Sequence, residues 1–449
     1  MPRLFGTDGV RGVANRDLTC SLAHQIGMAT AMVLSKKQHK KPMFLIAKDP
    51  RLSGDMLTGA ITSGLLCAGS DVILLGILPT PAVAHLIRVY QATAGIMISA
   101  SHNPTEYNGI KLFDHEGFKL SDETEDEIEK LVKNPHLLQS ADPLEIGTIL
   151  PPKNGIRDYI NHLKSTVSTD FSGLKIAIDC ANGATSKIAE TVFSELGAEV
   201  FPIANRPDGK NINKNCGSTH LKTICEHTVK SGCDIGISFD GDGDRVLCSD
   251  ETGTPVDGDQ ILAILASHMK ESGTLKKNTA VCTVMSNYAL TLFGENNDIL
   301  MKQTNVGDRY VLEKMLKSSY NLGGEQSGHI ILLDYNTTGD GILTALQVVQ
   351  ILKTKHCKMS RLSGILEKLP QHLINVRVKN EQKASVLLDE EVLELIETIT
   401  VKLFRTGRVL VRASGTEPLF RIMTEGENTK EIEAYANEIA TLIEKKFQS

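Results

Sequence analysis

The sequence contains no tryptophan, and aromatic residues make up only 4% of it. That leaves little material for the stacked platforms on which proteins hold unpaired bases. Positive charge is not in excess either: 48 Lys and Arg stand against 54 Asp and Glu, a net charge of −6. No nucleic-acid partner is expected from such a balance, although a local basic cleft can still take a small anion. No apolar run approaches a membrane span, so no membrane partner is expected. The opening MPRLFGTDGVRG carries no apolar stretch of the secretory kind. The nine cysteines are odd in number and form no CxxC pair. Cys216, Cys225 and Cys233 are the nearest group, and their spacing fits no common zinc pattern. Reduced, mostly buried thiols in a cytoplasmic protein are the expectation.

What is present is ordinary globular material, 41% hydrophobic and 23% charged over 449 residues, a length that suggests roughly three or four domains. Apolar runs and amphipathic stretches alternate. After a Gly- and Arg-rich opening loop over 3–15, a helix is expected over 22–35, a strand over 43–48 and a helix over 53–68. A strand over 72–76, a helix over 80–90 and strands over 94–99 and 109–113 follow. SDETEDEIEKLVK (121–133) is acidic at its start and basic at its end, as a helix dipole favours. Residues 134–153 read as an irregular linker. A second unit has strands over 174–179, 199–203 and 234–239, and a third has strands over 280–284, 299–304 and 329–333 with a helix over 341–353. Beyond 369, short strands alternate with helices, and the last helix is capped by Asn428 with Glu431 three residues on. The expected architecture is α/β: three similar units of mixed or parallel α/β layers plus a smaller α+β C-terminal unit. Their bounds are read as 1–153, 154–257, 258–370 and 371–449.

Four stretches carry chemistry. In GIMISASHNPTEYNGIK (95–111) a strand stops at Ser-Ala-Ser-His-Asn-Pro, where Pro104 cannot continue a ladder. Ser99, Ser101 and His102 thus sit just past the carboxyl end of a buried strand, where open α/β sheets place ligands. A serine needs a base or a metal to act as a nucleophile, and His102 and Lys111 are at hand. SFDGDGDRV (238–246) alternates Asp240, Asp242 and Asp244 with glycines. Three crowded carboxylates repel one another unless a cation intervenes, and an all-oxygen set favours Mg²⁺ or Ca²⁺ over Zn²⁺. An EF-hand loop counted from Asp240 does find Glu251 at its twelfth place, but it needs glycine at its sixth, which is Arg245, and its flanks read as strands. GGEQSGH (323–329) offers Glu325, Ser327 and His329 at alternating positions, a set suited to a polyhydroxylated ligand. RASGTEPLFR (412–421) combines Arg412 and Arg421 with a Ser414-Gly415-Thr416 nest fit for phosphate. Arg11 in the opening loop is another anion contact. A serine, a divalent metal, sugar-type polar groups and a phosphate clamp together point to phosphoryl transfer on a phosphosugar.

SASHNP, DGDGDR, GEQSGH and RASGTEP, in that order, resemble the α-D-phosphohexomutase superfamily over essentially the whole chain. FGTDGVRG with GEQSGH is most similar to its bacterial branch acting on glucosamine phosphate. The resemblance implies three similar mixed α/β domains plus a smaller α+β C-terminal domain around a central cleft. It also implies that Ser101 is a phosphoserine exchanging its phosphoryl group with glucosamine 6-phosphate through a bisphosphorylated sugar. One Mg²⁺ would be held by Asp240, Asp242, Asp244 and the phosphate on Ser101, with Arg245 beside it. Glu325 and Ser327 would hold sugar hydroxyls. Arg412, Ser414, Gly415, Thr416 and Arg421 would hold the non-reacting phosphate. Arg11, His102, Lys111 and His329 match positions tied to proton transfer or phosphate contact. A hexose 1,6-bisphosphate is the implied activator, and the product would feed UDP-N-acetylglucosamine synthesis. Ala413 departs from the proline common in relatives. The rivals are a phosphoglucomutase or phosphomannomutase of the same superfamily, and a metal-dependent phosphosugar-binding regulator without turnover. A homodimer is among the assemblies the sequence leaves open.

Overall fold

The computed structural model describes residues 3–6, 8–35, 41–414 and 418–447. They divide into two compact units, 1–285 with 302–365, and 286–301 with 366–449.

The first sheet contains β1 (Val10–Val13), β2 (Met43–Lys48), β3 (Asp71–Ile77), β4 (Ala94–Ile98) and β5 (Tyr107–Phe113), in the order β1-β5-β4-β2-β3. β4 lies between neighbours on both sides and is buried along its whole length, as its unbroken apolar run AGIMI requires. Each of Ile96, Met97 and Ile98 is fully enclosed, and each such side chain contributes about 1.5–3 kcal/mol through its removal from water. The second sheet holds β6 (Lys175–Asp179), β7 (Glu199–Ile203), β8 (Ile235–Phe239), β9 (Val246–Asp250) and β10 (Pro255–Val256), in the order β10-β9-β8-β6-β7. The third holds β11 (Thr279–Thr283), β12 (Leu300–Thr304), β13 (Leu322–Gly324) and β14 (Ile330–Leu332), in the order β12-β11-β13-β14.

These orders are one pattern repeated: β5-β4-β2-β3, β9-β8-β6-β7 and β14-β13-β11-β12 coincide strand for strand. β2 pairs parallel with β4, β6 with β8 and β11 with β13, while β4–β5, β8–β9 and β13–β14 are antiparallel. The antiparallel step turns the chain back at the carboxyl end of a central strand. The three turns so made are residues 99–106, 240–245 and 325–329, and each is one of the chemistry-bearing stretches. The mixed α/β reading holds.

Two expectations need correction. The opening loop contains a strand, because β1 runs antiparallel to β5 with Arg11 opposite Gly109. Four residues including a glycine are too few to show an alternation. Residues 134–153 are more than a linker, since Val72 N–H donates to Thr148 O and Leu150 N–H to Val72 O, covering the open edge beside β3. The helix Gly155–Ser165 was also unforeseen.

The second unit has a three-stranded antiparallel sheet of β15 (Gln371–Arg377), β16 (Gly407–Ala413) and β17 (Leu419–Gly426), in the order β15-β17-β16. The helix Thr429–Phe447 buries Ile432, Ile439 and Ile443 in the same core as Phe420 and Ile422, so its apolar stripe is packing. Asn428 Oδ1 accepts from the Lys430 and Glu431 N–H groups, as the cap signal implied. Among the described residues no helix is long and apolar enough to cross a membrane.

Candidate active site

Ser101 leaves β4 in the left-handed region, with φ at 52°. For a residue with a Cβ this costs about 1–3 kcal/mol and persists only where surroundings enforce it. They do. The Ser101 N–H donates to Ser99 Oγ at 2.9 Å, and that hydroxyl donates to Asp49 Oδ2 at 2.6 Å. Arg51, fully buried, donates from Nε to Asp49 Oδ2 at 2.9 Å and from Nη2 to Ser101 O and Asn103 O at 2.9 Å each. Its Nη1 serves Pro104 O and Tyr107 O. The guanidinium fork is thus used up in shaping one loop.

Ser101 Oγ donates to Asp240 Oδ2 at 2.6 Å, and His102 Nδ1 lies 3.4 Å from Ser101 Oγ. Asp240, Asp242 and Asp244 are all buried, and a ligand oxygen from each falls within 4.8 Å of the others. Asp242 Oδ1 and Asp244 Oδ1 are buried with no hydrogen-bond partner. Enclosed carboxylate oxygens that accept no hydrogen bond, at this spacing, fit a hard divalent cation. Burial, and then the charges of Asp244 and Asp242, keep the Asp240 carboxyl well above the usual range.

Lys111, on β5, sends its buried ammonium into this cluster: Nζ lies 2.8 Å from Asp242 Oδ2, 3.3 Å from Asp244 Oδ2 and 3.0 Å from Asp8 Oδ2. Burial alone would favour loss of its proton, but Asp242, Asp8 and Asp244 outweigh that and hold it well above its ordinary value. The alternation of charge continues. Asp8 Oδ1 lies 2.5 Å from Lys119 Nζ, which lies 2.5 Å from Asp308 Oδ2. Asp308 Oδ2 is 3.6 Å from His329 Nε2, and His329 Nδ1 is 3.8 Å from Asp244 Oδ2, which closes a ring. Burial disfavours a charged His329, and the carboxylates of Asp244 and Asp308 outweigh it and lift the ring above its ordinary value. The Gly339 N–H, donating to Nε2 at 3.1 Å, pulls the other way. His102 shifts downward, through burial first and then the charges of Arg245 and Arg11.

A cavity of about 500 Å³ opens beside the ring, lined among others by Arg11, Asp244, Arg245, Glu325, Ser327 and His329. Arg11 Nε, Arg245 Nε and Ser327 Oγ are buried without a hydrogen-bond partner, so the wall offers unused donors. Glu325 Oε1 accepts from the Gly307 N–H at 3.1 Å.

Profiles of the phosphoglucomutase/phosphomannomutase α/β/α domains I, II and III match residues 2–138, 157–253 and 257–372, and that of the C-terminal domain matches 373–442. The chain belongs to the phosphoglucomutase/phosphomannomutase family. Mutases of this kind are isomerases that move a phosphoryl group within one molecule. A curated phosphoglucosamine mutase of Clostridium novyi (strain NT) is 52% identical over 447 residues, covering 99% of each chain. One from Clostridium botulinum (strain 657 / Type Ba4) is 52% identical over 453 residues, covering 100% of each. Among solved structures, a phosphoglucomutase/phosphomannomutase family protein from Burkholderia thailandensis superposes with a TM-score of 0.85 at 21% identity, covering 99% of this chain and 97% of that one. The Aspergillus fumigatus N-acetylphosphoglucosamine mutase in complex with GlcNAc-6P and magnesium gives 0.69 at 18% identity, covering 98% and 95%. These distant likenesses speak for the fold.

The phosphohexomutase motifs thus fall into two groups. Ser101, His102, Lys111, Asp240, Asp242, Asp244 and Arg245 converge with Arg11, Glu325, Ser327 and His329 in the first unit. In the second unit, Arg412 on β16 stands opposite Arg421 on β17. Burial, and then the neighbouring Arg421 charge, lower the Arg412 guanidinium, a pairing that a bound anion would relieve. Ser414 directly follows β16, and its carbonyl accepts from Lys383 Nζ at 2.6 Å. Gly415 and Thr416 lie outside the described residues. Sequence reasoning missed Asp8, Asp49, Arg51, Lys119 and Asp308. Asp8 was in plain view within FGTDGVRG, three residues before Arg11, and Asp49 and Arg51 directly follow the strand MFLIAK.

Proposed function

We propose that the chain interconverts glucosamine 6-phosphate and glucosamine 1-phosphate through a phosphoserine at Ser101. The observation that carries this is the 2.6 Å contact between Ser101 Oγ and Asp240 Oδ2 inside a buried three-carboxylate cluster. It joins a serine hydroxyl of the first hairpin loop to the only carboxylate group of that kind found among the described residues. The substrate is supported by curated phosphoglucosamine mutases about half identical over the whole length. The division of the chain into 1–153, 154–257, 258–370 and 371–449, and its place in the cytoplasm, belong to the same reading.

In this reading the P–O bond to Ser101 breaks as a bond to the sugar hydroxyl forms, giving a bisphosphorylated sugar. That sugar turns over and returns its other phosphoryl group to Ser101. Asp240, Asp242 and Asp244 would hold one Mg²⁺, which when bound neutralises phosphate charge. Lys111, kept charged by three carboxylates, balances the same region permanently and is unsuited to be a base. His102, kept neutral, places Nδ1 3.4 Å from Ser101 Oγ and serves as a proton acceptor there. Arg11 and Arg245 meet phosphate at the cavity wall, Glu325 and Ser327 meet sugar hydroxyls, and His329 meets the proton of the second transfer. Arg412, Ser414, Gly415, Thr416 and Arg421 clamp the phosphate that does not react. A hexose 1,6-bisphosphate would load an empty Ser101.

The test is a coupled assay of the purified protein with glucosamine 6-phosphate, Mg²⁺ and a trace of hexose 1,6-bisphosphate, run beside glucose and mannose 6-phosphates and repeated with Ser101→Ala. Preference for the amino sugar, lost in Ser101→Ala, is the expected result. Preference for glucose or mannose would overturn the substrate, and full activity in Ser101→Ala would overturn the phosphoserine.

A further inference from the structure

The carbonyl of Ser101 receives two side-chain donors. One is Arg51 Nη2, at 2.9 Å, from the segment just after β2. The other is Asn213 Nδ2, at 2.8 Å, from a loop after β7, 112 residues along the chain. The same Asn213 amide reaches Asn103 O at 3.1 Å. Asn213 is itself held: it is buried, its φ is 58°, and its backbone N–H donates to Ala181 O at 2.9 Å. Asparagine tolerates that left-handed backbone better than most residues do. The next residue after Asp240 meets the same point. A Cβ on Gly241 would lie 2.5 Å from Ser101 O and 2.9 Å from Asn213 Nδ2. The serine loop, the carboxylate loop and Asn213 therefore close on a single carbonyl with no room to spare.

We propose that Asn213 is a positioning residue for phosphoryl transfer, fixing the strained Ser101 backbone so that Oγ stays aimed at the Asp240 cluster. This rests on the reading that Ser101 carries the phosphoryl group. Arg51 alone pulls on the carbonyl from the serine's own domain, whereas Asn213 ties it to the domain that supplies the carboxylates. Loss of that tie lets the two reacting elements drift without emptying the sugar pocket, so turnover falls while substrate binding does not.

The loop around Asn213 has a second attachment that does not touch Ser101. Gly209 O accepts from the Leu52 N–H and from Thr105 Oγ1, each at 2.9 Å. That contact separates a general loosening of the loop from loss of the Asn213 amide.

The experiment compares Asn213→Gly, which keeps the left-handed backbone, and Asn213→Asp, which keeps the shape but offers no donor, with Thr105→Val and Ser101→Ala. Readouts are kcat and KM for glucosamine 6-phosphate, and phosphate occupancy of Ser101 by intact mass after exposure to hexose 1,6-bisphosphate. Both Asn213 variants are expected to lose roughly a hundredfold in kcat, with KM little changed and slower loading of Ser101, while Thr105→Val stays near wild type. Undiminished kcat in both Asn213 variants, or an equal loss in Thr105→Val, overturns the assignment. Ser101→Ala discriminates the two levels: activity there sinks the phosphoserine reading itself, whereas inactivity there with undiminished kcat in both Asn213 variants sinks only the role of Asn213.

Discussion

Lys111 Nζ lies 2.8 Å from Asp242 Oδ2, so an ammonium carried by the first sheet is buried against carboxylates presented by the second. It faces Asp242 and Asp244, two of the three crowded carboxylates, and it is 1% exposed. Lys111→Met leaves Asp8, Asp242 and Asp244 without that counter-charge. Breaking a buried ion pair from one side costs about 3–5 kcal/mol, and a divalent cation can replace much of what is lost. Thermal unfolding with and without Mg²⁺ is expected to show a large drop in Tm for Lys111→Met in its absence, and a larger Mg²⁺-induced rise than in wild type. Equal rises in the two proteins would mean that Lys111 and the cation do not share a task.

Thr80 Oγ1 donates to Asp242 Oδ2 at 2.5 Å from the first turn of the helix Thr80–Tyr90. It orients a carboxylate without being a ligand. Groups of this kind are worth about 10–100-fold in metal affinity. Thr80→Val, nearly isosteric and fully enclosed, is expected to weaken Mg²⁺ binding by that factor in calorimetric titration. Activity should return at high Mg²⁺. An unchanged affinity would show that the Asp242 rotamer is fixed by Lys111 alone.

The parts of the site legible in the sequence are those that a single short loop delivers whole. Asp240, Asp242 and Asp244 declare themselves because like charges at that spacing are costly without a cation, and Ser101 because a strand ends abruptly at a proline-bearing loop. The partners that hold them come from far along the chain and look ordinary in place. Lys119 reads as a surface lysine before a capped helix, yet it bridges Asp8 and Asp308, the latter 189 residues away. Arg51 reads as a turn residue, yet its guanidinium shapes the Ser101 loop. No local pattern encodes such pairings, because they follow from the way three copies of one strand order bring their hairpin turns together. The repeat itself was visible only as similarity among units. The matching orders β5-β4-β2-β3, β9-β8-β6-β7 and β14-β13-β11-β12 depend on pairings that periodicity does not reveal.

Gly339 packs against the His329 imidazole so closely that a Cβ would fall 2.5 Å from Cε1 and from Nε2. The same residue donates its N–H to Nε2. Gly339→Ala must therefore displace the ring from its place between Asp308 and Asp244, at an overpacking cost of about 1–3 kcal/mol. The expected outcome is a folded protein with a modestly lowered Tm and a much larger loss in kcat than stability explains. Retention of wild-type kcat would remove His329 from the chemistry.

Glu125 gives the pH prediction. It lies in the first turn of the helix Asp122–Lys133, is 8% exposed, and has Arg3 Nη2 at 3.3 Å. Burial outweighs the attraction of Arg3 and Arg309 and pushes its carboxyl from the ordinary 4.5 up to about 7. The folded chain thus binds a proton that the unfolded chain has already released across that interval. Stability therefore falls as pH rises from 4.5 to about 7 and loses nothing more from this group above it. Glu125→Gln abolishes the titration while keeping an acceptor for Arg3. It should match wild type near pH 4.5 and exceed it by on the order of 1–2 kcal/mol at pH 8. Urea unfolding of the two proteins at pH 5 and pH 8 measures this. A difference that does not grow with pH would mean that Arg3 and Arg309 keep Glu125 ionised in the fold, and that the helix start is held by ion pairs rather than strained by a buried acid.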